Sequence, residues 1–192
     1  MDPGSDDLDR SVRRAHRVRK GECVELSEEV LAVEAPLEIC VDCEVVTVTM
    51  RTPGADEELA LGFLYAEGVL TSPEQVGSVQ VKSAEESAVS SVNVIPDKHN
   101  AIDLARLMAS RRVDVTTSAC GVCGRTSLDD LLERCRPVVF NEPLSLDLVV
   151  SLADRLAEHQ PLFGVTGGVH GAALYDLDGR LRYCFEDVGR HN

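Results

Sequence analysis

Two cysteines that lie three residues apart among small residues are the most informative chemical feature of this sequence. Cys120 and Cys123 are each followed by glycine, and Arg125 comes directly after the second glycine. Only a thiolate is nucleophilic, so a working thiol needs a nearby cation or a helix N-terminus to lower its pKa. Arg125 is such a cation, and a helix predicted from Leu128 would turn its N-terminus toward the loop. The pattern predicts an exposed loop with a reactive sulfur.

Two other interpretations of this loop stay open. Most cysteines in globular proteins are small buried hydrophobic residues, and a C-x-x-C pair can also be half of a zinc site. A second pair, Cys40 and Cys43, lies far from Cys120 in the sequence. Strand residues three apart point to opposite faces, and compact zinc sites use shorter spacings. We therefore expect no joint zinc site and no bound metal.

Two further segments carry candidate binding residues. Residues 166–171 contain three glycines, which let backbone N–H groups approach an anion, although a tight turn has the same composition. Residues 186–192 gather acidic, basic and amide side chains after a predicted strand, which is typical of a ligand site and also of a solvated turn. The candidates are Thr166, Gly167, Gly168, His170, Glu186, Asp187, Gly189, Arg190, His191 and Asn192.

Composition and charge limit the classes of function. The chain has 192 residues, of which 44% are hydrophobic, and this is enough to bury a core. Its formal net charge of -14 disfavours nucleic acid or an anionic membrane as partner, but allows a small phosphorylated ligand in a locally basic pocket. No segment is apolar enough to span a membrane and no secretion signal is present, so we expect a cytoplasmic protein with reduced thiols.

Hydrophobic periodicity predicts the elements that must position these residues. Alternation between residues 37 and 50 predicts a hairpin, and Asp56 is expected to cap a helix that ends at Gly68. Strands near residues 79–81 and 89–94 follow. In the second half we expect a helix after Pro143, a strand over residues 163–166, and a hairpin with its turn at residues 178–179.

This order of elements predicts an α+β or α/β protein in two lobes. Residues 1–20 are expected to form a disordered tail, because they run from an acidic tip to a basic patch with little apolar periodicity. Residues 21–99 are expected to form a β-rich lobe with one helix. Residues 100–192 would form the lobe that carries the cysteine loop.

Four blocks of sequence, taken in order, resemble the FdhD family of sulfur carriers that serve formate dehydrogenase maturation. The blocks are residues 53–68, 118–124, 166–170 and 186–192, and the resemblance extends from about Pro36 to the last residue. It implies a core similar to the cytidine deaminase fold, with a smaller β-rich N-terminal lobe. Deaminase chemistry does not follow, because the sequence has no H-x-E motif.

The resemblance also implies an activity. Such a sulfurtransferase accepts sulfane sulfur from a cysteine desulfurase and passes it to the molybdenum cofactor, in its bis-guanine-dinucleotide form, before insertion into formate dehydrogenase. Cys120 would carry the persulfide and Cys123 would be its loop partner. Arg125 and the candidates in residues 166–170 and 186–192 would contact the guanine-nucleotide cofactor, which is bound as a substrate. A homodimer is also expected from the family.

Two departures from the family pattern affect these expectations. Cys40 and Cys43 replace residues that are usually not cysteine, so neither inherits a role. The sequence ends at Asn192, where family members continue, so we expect either a truncated chain or a shortened form, in which cofactor binding and sulfur transfer itself both stay open. Two rival functions remain open, namely a cofactor-binding chaperone without sulfur chemistry and a zinc or dithiol redox protein.

Overall fold

The computed structural model describes residues 11–20, 24–84, 89–100, 102, 143–190 and 192. Within these ranges the strands and helices follow one another along the chain with short connections. The strands are β1 (Val12–Lys20), β2 (Val24–Ala32), β3 (Ala35–Val41), β4 (Glu44–Arg51), β5 (Val76–Lys82), β6 (Ser90–Pro96), β7 (His170–Tyr175) and β8 (Leu181–Asp187). The helices are α1 (Asp56–Ala66), α2 (Leu146–Glu158) and α3 (Pro161–Thr166), with a 3₁₀ turn at Pro73–Gln75.

A four-stranded sheet covered by α1 forms the main core of the described residues. Its strand order is β4-β3-β6-β5, in which β3 and β6 run parallel and the other neighbours run antiparallel. Helix α1 buries Ala60 and Leu64, which are one turn apart and therefore share a face. Leu59 and Phe63 also pack against the core but are only partly buried. The core consists of Leu37, Ile39, Val41, Val46, Ala60, Leu64, Val69, Leu70, Val92, Val94 and Ile102.

The expected hairpin between residues 37 and 50 is confirmed as β3 and β4. Its two turn residues, Asp42 and Cys43, both have positive φ angles, 50° and 66°. Tight hairpin turns require this geometry because it matches the twist of the flanking strands. Asn93 on β6 supports the turn by accepting a hydrogen bond from the Cys43 backbone N–H at 2.9 Å. The two strands expected near residues 79–81 and 89–94 are also confirmed, as β5 and β6.

In the second half, the helix after Pro143 and the hairpin of β7 and β8 are confirmed, but the strand expected over residues 163–166 is wrong. These residues belong to α3, which has Pro161 at its first turn and ends at Gly167 with φ 59°. Proline at the start and a left-handed glycine after the end both favour a short helix. The glycine-rich segment therefore joins a helix to a strand, not two strands.

The expectation of a disordered tail over residues 1–20 is wrong for residues 12–20, which form β1 and pair along their whole length with β2. The pairing sets His16 opposite Glu28, and Arg14 also lies 3.9 Å from the Glu28 carboxylate. The pairing is made by backbone hydrogen bonds, which do not require apolar alternation. The search for apolar periodicity therefore missed this strand.

The described residues form a mixed α+β fold, as the sequence predicts. The division at residues 20 and 99 and the deaminase-like core stay predictions. None of the helices in the described ranges is long and apolar enough to cross a bilayer.

Candidate functional site

The cysteine loop itself, with Cys120, Cys123 and Arg125, lies outside the described residues, as does His191. Among the residues that are described, no group of three or more histidine, cysteine or acidic side chains is placed to hold a metal ion. The candidates that the structure does describe lie in residues 166–170 and 186–192.

Glu186 brings the two predicted binding segments together. It lies near the end of β8, and its two carboxylate oxygens accept hydrogen bonds from the backbone N–H groups of Leu162 at 2.9 Å and Phe163 at 2.7 Å. These N–H groups are at the start of α3, where the helix supplies no acceptors of its own. A carboxylate at this end also interacts favourably with the helix dipole. Glu186 therefore fixes the helix that leads into residues 166–171.

The glycine-rich segment ends α3 through local hydrogen bonds. The Thr166 hydroxyl donates to the Leu162 carbonyl at 2.8 Å and accepts from the Gly168 N–H at 3.2 Å. The Gly167 N–H donates to the Phe163 carbonyl at 2.7 Å. The amides of both glycines are thus engaged by the chain in this structure.

His170 opens β7 and is exposed. It pairs with Asp187 in the register of β7 and β8. Because directly opposed residues in an antiparallel pair share a face, the imidazole and the block of residues 186–192 lie at the same end of this hairpin. Arg190 is exposed on that block.

Asp187 is the acceptor at the centre of the block. Its Oδ1 accepts from the Gly189 N–H at 2.6 Å and from Asn192 Nδ2 at 2.7 Å, and its Oδ2 accepts from the Thr52 N–H at 3.0 Å. Burial raises the pKa of this carboxyl above 3.8, while the three hydrogen bonds and the nearby Arg51 charge act in the opposite direction.

Further contacts dock residues 186–192 on the end of β4. The Val188 N–H donates to the Thr52 hydroxyl at 3.0 Å. Asn192 Nδ2 donates to the Met50 carbonyl at 2.8 Å, and Asn192 Oδ1 accepts from the Thr49 hydroxyl at 3.3 Å. We call this set the β4 latch. Its members are Thr49, Met50, Thr52, Asp187, Val188 and Asn192.

A buried ion pair supports the strand end that carries the latch. Arg51 is 2% exposed, and its Nε and Nη2 donate to the two oxygens of Asp56, each at 2.8 Å. Its Nη1 donates to the Ala35 carbonyl at 3.2 Å. The expectation that Asp56 caps α1 is wrong, because Ala55 holds the N-cap position without a side-chain cap bond. The Asp56 carboxylate instead pairs with Arg51.

Arg51 and Thr52 were missed by sequence reasoning. The polar residues Thr47, Thr49 and Arg51 alternate with apolar ones along β4. All three polar residues are buried, and so is the apolar Val46. A period of two separates the faces of a strand but does not say which one is covered. The available signal was the position of Arg51 and Thr52 directly before the first block that resembles the family.

A cavity of about 600 Å³ lies beside the Arg51–Asp56 pair. Glu57, Glu58 and Arg13 contribute charged side chains to its wall. None of the predicted site residues that the structure describes lines it. The cavity is thus separate from the block of residues 186–192.

Comparison with known proteins identifies the family. A sulfur carrier protein FdhD from Anaeromyxobacter dehalogenans strain 2CP-C is 47% identical over 166 residues, which are 85% of this chain and 58% of that protein. The FdhD protein of Sulfurisphaera tokodaii is 39% identical over 177 residues, 90% of this chain and 63% of that one. The chain spans about six-tenths of the length of these curated relatives.

A solved structure shares the fold. The crystal structure of a protein assigned as a formate dehydrogenase accessory protein from Desulfotalea psychrophila matches with a TM-score of 0.69 and 22% identity, over 94% of this chain and 65% of that one. The model of the FdhD/NarQ family matches residues 32–192, a range that contains the cysteine loop and the β4 latch. The chain belongs to the FdhD/NarQ family.

Proposed function

We propose that this protein is a cytoplasmic sulfur carrier that serves the maturation of formate dehydrogenase. The observation that carries the proposal is its 47% identity to a sulfur carrier protein FdhD over 85% of the chain. The matched family range includes the C-x-x-C segment, whose residue types suit a reactive thiol. Its proposed partners are a cysteine desulfurase, formate dehydrogenase and a second copy of the chain.

The proposed chemistry is thiol exchange at Cys120. Its thiolate attacks the terminal sulfur of a persulfide on the desulfurase, the sulfur–sulfur bond of the donor breaks, and the donor leaves as a thiolate. Cys120 then holds the transferred sulfur as a persulfide, and no external oxidant is consumed. Delivery of that sulfur to the molybdenum cofactor as a sulfide ligand would break the sulfur–sulfur bond and regenerate the Cys120 thiolate, with the two electrons that reduce the sulfur coming from a cofactor whose metal arrives reduced. Arg125 would favour the anionic forms, and Cys123 would be the second thiol of the loop.

The proposed cofactor site is the open end of the β7–β8 hairpin, where His170 is paired with Asp187. Arg190 and His170 are exposed there, and a guanidinium is well suited to a phosphate because it can donate two parallel hydrogen bonds. The guanine-dinucleotide end of the cofactor is a large anion. Local cations would therefore allow a protein with a net charge of -14 to bind it.

Maturation of formate dehydrogenase in a strain without its own carrier tests the proposal. The unmodified chain should restore enzyme activity, and Cys120→Ala should abolish it. Cys43→Ala is the matched control, because Cys43 is an exposed thiol in the β3–β4 turn and should be dispensable. Full maturation by Cys120→Ala would favour the chaperone alternative, and stoichiometric zinc in the purified protein would favour the zinc alternative.

A further inference from the structure

We propose that Thr52 is a positioning residue that sets the geometry of residues 186–192 from the end of β4. In this arrangement Asp187 and Asn192 hold the block in place and do not contact the nucleotide. The inference rests on the proposed function, since it assumes that this block binds the guanine-nucleotide end of the cofactor.

Both side-chain N–H donors of Asn192 are already used within the chain. Its amide has two N–H donors, which are directed to the Met50 carbonyl and to Asp187 Oδ1. Its oxygen accepts from Thr49. A ligand could take the amide donors only by breaking these bonds, so Asn192 contributes shape to the site.

Asp187 is committed in the same way. All three of its described donors are N–H groups of the chain, one each from Thr52, Gly189 and Asn192. A carboxylate with three such donors would repel the phosphates of a nucleotide if it faced them directly. The latch holds this charge away from the ligand, and Arg190 is exposed on the same block.

Thr52 cannot contact a ligand itself, because it is 5% exposed. It makes two hydrogen bonds to the block. Its backbone N–H donates to Asp187 Oδ2, and its hydroxyl accepts from the Val188 N–H. The two contacts fix two successive residues of the block, and therefore its direction as well as its position.

The residues on both sides of Thr52 are fixed by hydrogen bonds of their own, so the position of Thr52 is rigidly set. Arg51 is clamped by Asp56, and the Pro53 carbonyl accepts a hydrogen bond from the Ser11 hydroxyl at 2.6 Å. The block is also tightly fitted, because a Cβ added at Gly189 would lie 2.6 Å from Asn192 Nδ2. A small displacement at Thr52 would therefore be transmitted to Gly189 and Arg190.

The test combines amide hydrogen exchange with GDP binding. Thr52→Val keeps the size of the side chain and the backbone N–H but leaves the Val188 N–H without its acceptor. In the ligand-free protein, exchange over residues 186–192 should become at least several-fold faster, and GDP should bind roughly tenfold more weakly. Thr52→Ser restores the hydroxyl and should restore both values.

Two further variants keep the test decisive. Ser90→Ala removes a buried hydroxyl at the start of β6, outside the β4 latch, and should change neither value for residues 186–192. Asn192→Asp replaces a donating amide by an acceptor that faces the Met50 carbonyl and Asp187, and it should also accelerate exchange. It acts from the block, so it tests the latch even if Thr52→Val does not fold.

The two readouts separate the possible failures. Unchanged exchange in Thr52→Val and Asn192→Asp would overturn the latch. Faster exchange with unaltered GDP affinity would show that the latch does not position the ligand site. If the unmodified chain does not bind GDP, the assignment of a guanine-nucleotide site in the proposed function is wrong. Amide hydrogen exchange alone then decides whether Thr52 positions the block.

Discussion

At the scale of single residues, Asp187 shows how burial and hydrogen bonding compete at one carboxylate. Burial disfavours the charged form and raises its pKa, whereas three N–H donors and Arg51 favour the charge. The three N–H groups cannot accept a hydrogen bond from the O–H of a neutral carboxylic acid, so these contacts favour the ionised form. Burial is the larger effect, so the folded protein holds the Asp187 proton more tightly than the unfolded chain does.

The pH dependence of stability tests this conclusion. A carboxyl with a raised folded pKa contributes stability that is complete below 3.8 and is lost as the pH rises through the folded value. Asp187→Asn has no such ionisation. The free energy of unfolding of the unmodified chain, measured in urea, should fall relative to that of the variant between acid and neutral pH. A difference that is flat, or that rises with pH, would contradict the assignment.

Sequence reasoning selected Glu186, Asp187 and Asn192 because they are close together along the chain. It did not find Thr52, whose bond to Asp187 joins residues 135 positions apart. Nothing local marks a threonine at a strand end as a partner of so distant a residue. The proximity of Glu186 to the start of α3 was hidden for the same reason.

At the scale of elements, α3 shows where local patterns fail. The short apolar run at residues 163–166 fits a strand as well as a helix. What decides for the helix is Pro161 before it, Gly167 after it, and the distant carboxylate of Glu186 at its N-terminus. The β3–β4 and β7–β8 hairpins were predicted correctly because both strands and the turn lie within one short stretch of sequence that is rich in apolar residues.

A matched pair of glycine substitutions tests the end of α3. Gly167 has φ 59°, and a Cβ there would meet no atom within 4 Å, so Gly167→Ala should cost about 1 kcal/mol through backbone strain alone. Gly164 lies inside the helix with equally open space, and Gly164→Ala should stabilise the protein by about 0.5–1 kcal/mol. Thermal unfolding measures both. Two changes of the same sign would refute the assigned geometry.

The junction of β4 and α1 depends on the Arg51–Asp56 pair. Asp56→Ala would leave a guanidinium that is 2% exposed without its partner, so we expect a loss of about 3–5 kcal/mol in the free energy of unfolding. Glu58→Ala also removes a charge from the first turn of α1, but Glu58 is exposed and its loss should cost less than about 1 kcal/mol. Similar costs for the two variants in urea would show that the ion pair is not structurally important.

At the scale of the whole molecule, the sequence predicts the α+β class and the strands of the main sheet but not their order. The parallel pairing of β3 with β6 brings together segments about 50 residues apart. Hydrophobic alternation shows which residues of a strand share a face, but it does not show which strands are neighbours. The docking of the C-terminal block on β4 is likewise a product of tertiary structure.

The most direct test of the sulfur-carrier account is the mass of the protein after incubation with a cysteine desulfurase and free cysteine. The account predicts the gain of one sulfur atom, located on the peptide that contains Cys120 and removed by a thiol reductant. Cys123→Ala should still gain it, and Cys120→Ala should not. An unmodified Cys120 beside a desulfurase that is active on another acceptor would contradict the account.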